Sequence, residues 1–181
     1  ALSLVGSEMC IRDRKVGLRK NWVLNEEYYP FNNRSLDRVL SVGRLEKQKD
    51  FKYLIEEIAG LNIQLDIVGE GSEKIDLQNF ADEKNVNVNF LGKIDHEELE
   101  NLYKEYCIYV SSSNYEGNPK TVLEALSFGC VTILSNIPNH KELVDHSKTG
   151  FIFDKKEGSL KQMFESILNN EYDSFLLFLR V

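Results

Sequence analysis

From Arg38 onward, short runs rich in β-branched residues alternate with amphipathic stretches, and glycines mark the junctions. Arg38–Val42 runs into Gly43, after which Phe51, Leu54, Ile55 and Ile58 recur at helical spacing up to Gly60. Ile63–Val68 reads as a second strand closed by Gly69-Glu70-Gly71. Ile75, Leu77, Phe80 and Ala81 predict the apolar face of a helix beginning near Ser72. Val86–Leu91, Glu97–Tyr106 and Cys107–Val110 read as strand, helix and strand. Pro119–Phe128 reads as a helix closed by Gly129, and Val131–Leu134 as the next strand. A helix over His140–Val144, a strand over Phe151–Phe153 and a helix over Gly158–Leu168 complete the series. Such alternation builds βα units, and βα units build a parallel sheet covered on both faces. The expectation is an α/β fold, a Rossmann-like doubly wound parallel sheet. In such sheets ligands bind beyond the carboxyl ends of the strands. The loops after Val42, Val68, Leu91 and Val110 are therefore the ones to read for chemistry.

Composition narrows the ligand. The 181 residues suffice for one domain, and 42% apolar content supplies its core. A net charge of −7 speaks against a general affinity for nucleic acid or anionic lipid, but leaves room for one cationic pocket. No apolar run approaches the roughly 20 residues of a membrane span. Cys10, Cys107 and Cys130 have no paired spacing and read as thiols in a reducing compartment. His96, His140 and His146 are not spaced as metal ligands, so neither metal nor cofactor is expected. Residues 1–20 carry Arg12, Arg14, Lys15, Arg19 and Lys20 against Glu8 and Asp13, without clean periodicity. Ser3–Arg14 reads like translated sequencing-linker DNA, and residues 1–20 are set aside as a non-native or disordered leader.

The loop after Val110 carries the most. Asn118 suits a helix N-cap and Pro119 the first helical position, so a helix opens at a strand end just after Gly117. Its unpaired N–H groups suit a phosphate. Glu116 precedes the cap; Glu124 lies nearly two turns in, aligned with Lys120, Thr121 and Ser127 as a polar stripe on an apolar helix. Two carboxylates at the mouth of such a helix suit hydroxyl groups. The stripe alone is equally a solvated face with a Lys120–Glu124 pair.

After Val42, Gly43 lets the chain turn, Arg44 and Lys49 bracket the crevice, and Asp50 suits the cap of the next helix. A guanidinium fork plus an ammonium matches the charge of a diphosphate, although surface Arg and Lys are usually just solvated. Gly69-Glu70-Gly71 is not a dinucleotide fingerprint, because Lys74 stands where a third small residue is required. These glycines read as a close backbone turn past a ligand. The backbone near Ile94 is placed to meet a base edge. His140 reads as a cap or surface residue.

Together the segments SVGRLEKQKDFKYLI, LDIVGEGS, NFLGKID, EGNPKTVLEALSFGC and SNIPNHKELVDHSKTGFIFD resemble the C-terminal, donor-binding half of retaining glycosyltransferases of family 4, which have the two-domain GT-B fold. Asn21-Trp22-Val23 and Tyr29-Pro30 look like that family's interdomain linker. The resemblance implies that Arg44 and Lys49 hold the donor diphosphate and neutralise its departing charge. It implies that Glu116 binds donor-sugar hydroxyls, so that Arg44, Lys49 and Glu116 are the catalytic set. Glu124 is implied to bind the ribose, with Gly43, Gly69, Gly71, Ile94, Gly117, Asn118, Pro119, Lys120 and Thr121 around the donor. No metal is implied.

The expected organisation is a leader over 1–20, a linker remnant over 21–37, a nucleotide-sugar donor-binding domain over 38–170 and a truncated tail over 171–181. The implied function is hexosyl transfer from a nucleoside-diphosphate sugar to a glycan, lipid or cell-envelope polysaccharide precursor, in the cytoplasm or at the inner face of the membrane. The implied partner is a missing N-terminal acceptor-binding domain, without which this chain is expected to be inactive. A stand-alone nucleotide- or partner-binding module without catalysis is the competing reading. Asn118 stands where the family more commonly has an apolar residue, which alters sugar contacts and not the fold.

Overall fold

The computed structural model describes residues 34–169. The leader, the Asn21-Trp22-Val23 and Tyr29-Pro30 segments, Cys10 and the tail over 171–181 lie outside the described residues. Six strands, β1 (Ser35–Val42), β2 (Gln64–Val68), β3 (Val88–Gly92), β4 (Tyr106–Ser111), β5 (Val131–Ser135) and β6 (Phe151–Phe153), form one sheet in the order β3-β2-β1-β4-β5-β6. Every neighbouring pair is parallel. The helices are α1 (Phe51–Ile58), α2 (Lys74–Glu83), α3 (His96–Glu105), α4 (Lys120–Ser127), α5 (Pro138–Lys141) and α6 (Ser159–Leu168).

The strands are apolar on both faces because both are covered. Val39, Leu65, Ile67, Ile108, Val110 and Ile133 pack under Phe51, Leu54 and Ile55 of α1 and Leu160, Phe164 and Ile167 of α6. On the other face, Leu40, Val42 and Leu134 meet Tyr103 of α3 and Val122 and Ala125 of α4. Successive connections run outward from β1 through β2 to β3, and from β4 through β5 to β6. The order therefore reverses between β1 and β4, and the loops after these two strands diverge around a crevice.

Three buried polar groups hold this frame. Glu57, 4% exposed, accepts from the backbone N–H groups of Gly158 (2.7 Å), Leu160 (2.9 Å) and Lys161 (3.1 Å), and so caps α6 from α1. Arg34 donates to the carbonyls of Tyr106 (3.0 Å) and Phe128 (2.8 Å), closing the C-terminal ends of α3 and α4 with one cation. Asp66, fully buried on β2, accepts from Tyr106 Oη (2.5 Å), Arg38 (3.1 Å) and Gln64 (3.0 Å). Cys107 and Cys130 are both buried.

Beyond shifts of one or two residues at element ends, four features differ from the sequence expectation. β1 starts at Ser35, inside the segment read as linker, because pairing with β4 begins there. Ile75 is 71% exposed; Leu77 and Ala81 alone make the buried stripe of α2. The helix expected over His140–Val144 is the four-residue α5, started by Pro138. The cap of α4 is Pro119, not Asn118: the Asn118 carbonyl accepts from Lys120 N–H at 2.9 Å, and no side chain caps this end.

Candidate active site

The β1 loop folds against the β2 loop by backbone contact. Gly43 N–H donates to Val68 O at 2.9 Å, and Leu45 N–H to Glu70 O at 2.9 Å. Gly69 has φ +143°, and a Cβ there would sit 1.9 Å from Gly43 O; a Cβ on Gly71 would sit 2.3 Å from Leu45 O. These two glycines thus face protein backbone, and the close approach that the sequence suggested is of loop to loop. Gly43 has another role: a Cβ would lie 2.7 Å from Lys49 Cε, so the bare α-carbon leaves the groove along which the lysine stem runs.

That stem delivers its ammonium to Glu116. Lys49 Nζ donates to Glu116 Oε1 at 2.5 Å, and the side chains are 16% and 7% exposed. Ser113 Oγ donates to the same oxygen at 2.6 Å. The pair therefore joins the β1 and β4 loops across the switch point. Ser112 Oγ lies 2.8 Å from Lys49 O and 2.9 Å from Asp50 O, while Asn114 N–H donates to Gln48 O at 2.8 Å. Asp50 caps α1 by accepting from Tyr53 N–H, and Lys155 from beyond β6 donates to both Asp50 Oδ2 and Asn114 Oδ1.

Beneath this surface lies a layer of serines. Ser135 Oγ donates to Ser113 O at 2.7 Å, and His140 Nδ1 lies 3.0 Å from Ser135 O. A carbonyl only accepts, so Nδ1 carries the proton and the imidazole is the Nδ1–H tautomer. Its Nε2 is buried without a partner among the described residues. His140 is fully buried within α5, neither the cap nor the surface residue expected, and burial lowers its pKa, with Glu116 acting in the opposite sense.

The α4 stripe is held from below by tyrosines. Tyr109 Oη donates to Thr121 Oγ1 at 2.8 Å, and Tyr103 Oη to Glu124 Oε2 at 3.1 Å. Glu124 is half-buried, and desolvation raises its pKa against the Tyr103 hydrogen bond, which lowers it. Lys120 stays exposed, as do Gly117 and Asn118, whereas Pro119 is buried. Ile94 is half-buried against the α3–α4 side of the core.

Arg44 stands apart from Lys49. It is exposed, its guanidinium 3.5 Å from Gln48 Oε1, and with Gln48, Ser72 and Tyr115 it lines a shallow hollow of about 390 Å³. A larger hollow, about 520 Å³, lies beside β6; there Asp154 is taken by Asn136 and His146 Nδ1 by Ile152 N–H. Lys49, Glu116, Thr121 and Glu124 are thus placed on the two loops and the helix that bound the crevice. The serine layer, His140, Tyr103, Tyr109 and Lys155 were not anticipated. The one sequence signal for the tyrosines is a phenol on an apolar face, which requires a partner for its hydroxyl. Among the described residues no three His, Cys, Asp or Glu side chains gather as a metal site, and no helix is long and apolar enough to cross a membrane.

Residues 31–175 match the family described as glycosyl transferases group 1. The chain belongs to that family. An uncharacterized glycosyltransferase of Haemophilus influenzae is 31% identical over 137 residues, 71% of this chain and 38% of the relative. The GtfA subunit of a UDP-N-acetylglucosamine–peptide N-acetylglucosaminyltransferase from Streptococcus agalactiae is 26% identical over 76% of this chain and 26% of its own length. This chain thus spans about a quarter to two fifths of these curated relatives. Anabaena HepE, solved with UDP and glucose, superposes with a TM-score of 0.69 at 19% identity, over 77% of this chain and 40% of that one. The doubly wound sheet is accordingly the Rossmann-like architecture of GT-B glycosyltransferases.

Proposed function

We propose that this chain is the donor-binding part of a retaining glycosyltransferase of family 4, which moves a hexosyl group from a nucleoside-diphosphate sugar to an acceptor. The observation that carries the proposal is the Lys49–Glu116 pair at the switch point, one loop turn from the open end of α4, with Glu124 farther along the same helix. A cation, a helix N-terminus and two carboxylates are the groups that a diphosphate, a hexose and a ribose require.

When the bond between the anomeric carbon and the phosphate oxygen breaks, its electron pair stays on that oxygen. Negative charge grows on the diphosphate, and Lys49, Arg44 and the α4 N–H groups stabilise it more than they stabilise the intact donor. Arg44 is exposed, with its guanidinium at 3.5 Å from Gln48 Oε1, and is assigned to the phosphates. Glu116 takes hydroxyls of the sugar and Glu124 those of the ribose, with Ile94 beside the base. This reading uses no metal. It assigns the acceptor, a glycan, lipid or cell-envelope polysaccharide precursor, to a separate N-terminal domain, with the reaction in the cytoplasm or at the inner face of the membrane and this chain alone inactive.

Calorimetric titration with UDP, ADP and GDP and their glucose derivatives tests the donor site. At least one nucleoside diphosphate should bind, more weakly to Arg44→Ala, whereas the free nucleoside should bind both proteins alike. A folded chain that takes up none of them refutes the reading and favours a partner-binding module.

A further inference from the structure

Resting on the ribose reading of Glu124, we infer that Tyr103 is a positioning residue for nucleotide recognition: its hydroxyl fixes the Glu124 carboxylate in the orientation that receives the ribose diol. Tyr103 lies in the last turn of α3, on a different element from anything in the β1 and β4 loops, and is 0% exposed. Its ring is held on two sides, stacked on Phe128 at 5.7 Å and 12° and tilted against Tyr109 at 6.1 Å. Its carbonyl accepts from Cys130 Sγ at 3.2 Å, so the main chain is anchored as well. A hydroxyl on so constrained a ring has one place to be, and there it donates to Glu124 Oε2 at 3.1 Å.

The chemistry of the pair is one-directional. A carboxylate only accepts, so the phenol donates. Burial and the neighbouring carboxylate push the phenol pKa upward, which keeps that donor protonated throughout the physiological range. With Oε2 engaged from inside the fold, Oε1 is the oxygen left to a vicinal diol. A glutamate on a helix otherwise samples several rotamers, and freezing it before the ligand arrives removes that ordering cost from binding. Tyr109 does the same for Thr121 one turn earlier, so the stripe on α4 is set by phenols from beneath.

The test compares UDP, ADP and GDP with their 2′,3′-dideoxy counterparts by calorimetry on the intact chain, wild type against Tyr103→Phe. Wild type should prefer the ribose form of the nucleotide it binds. In Tyr103→Phe that form should weaken about fivefold while the dideoxy form changes less than twofold. Tyr103→Met, similar in size and also without a hydroxyl, should behave alike and serves if the phenylalanine variant does not fold. In a Glu124→Ala background, Tyr103→Phe should have no further effect on the ribose preference. Equal weakening of both forms would show a general packing role and overturn the inference, as would an unchanged preference. If wild type itself does not distinguish the two forms, the ribose reading of Glu124 fails first and the inference falls with it.

Discussion

Replacing Glu116 by Gln should strengthen the binding of a nucleoside diphosphate while weakening that of its sugar derivative. Lys49 is neutralised, at 2.5 Å, by a carboxylate that is 7% exposed. A diphosphate entering beside the ammonium brings its own negative charge close to that of Glu116. Two unit charges about 8 Å apart at an effective dielectric of about 20 repel by about 2 kcal/mol, and salt reduces that to about 1 kcal/mol. Glutamine removes the repulsion and keeps a side chain of the same shape. UDP affinity should therefore rise about fivefold. The sugar derivative loses a charge-assisted acceptor worth about 1.5–3 kcal/mol, which outweighs the gain. Calorimetry with both ligands on both proteins measures the two changes, and their opposite signs are the diagnostic. A variant in which both ligands weaken in parallel would mean that Lys49 is not shared between Glu116 and the phosphates. The shared-cation reasoning would then be wrong.

Glu57→Ala strands the N–H groups of Gly158, Leu160 and Lys161 at the start of α6 and should cost about 2–4 kcal/mol, with Glu57→Gln costing about half as much; urea denaturation at unchanged m-value measures this. Gly69→Ala must place a Cβ 1.9 Å from Gly43 O at φ +143°, so a loss of at least about 3 kcal/mol is expected by the same assay. His140 is held neutral by burial, its folded pKa below the unfolded value. Its contribution to stability is complete above the unfolded pKa of about 6.5 and declines as pH falls toward the folded pKa, by up to about 1.4 kcal/mol per pH unit. His140→Asn should flatten that slope below about pH 6.5 in denaturant midpoints taken across the range.

The alternation of strands and helices was legible because each element buries a face, and burial imposes its period on the sequence. Val39, Leu54, Ile67 and Ile108 sit inside for that reason. Glu116 and Glu124 were legible because carboxylates beside an apolar helix start are conspicuous. His140 was not: four residues of α5 are too few to show a period, and nothing local reports that β5 and the β4 loop close over the ring. Ile75 was wrongly grouped with the apolar face: at roughly 100° per residue it lies roughly opposite Leu77, Phe80 and Ala81, and it is 71% exposed. Tyr103 reads from sequence as one more apolar residue of α3. Only the packing of α3 against α4 brings its hydroxyl to Glu124, 21 positions later.

The bridge from Lys155 has a consequence for the order in which the crevice is assembled. Asp50 and the lysine that holds it are 105 positions apart. At a ribosomal rate of about 5–20 residues per second, the β1 loop waits about 5–20 s for that partner to be synthesised. Until Lys155 emerges, Asp50 and Asn114 lack the cation that links them, so this tie between the β1 and β4 loops forms only after all six strands have been synthesised. Every residue assigned to the donor, from Gly43 to Glu124, is synthesised earlier, so the tie locks two loops whose ligand groups are already present.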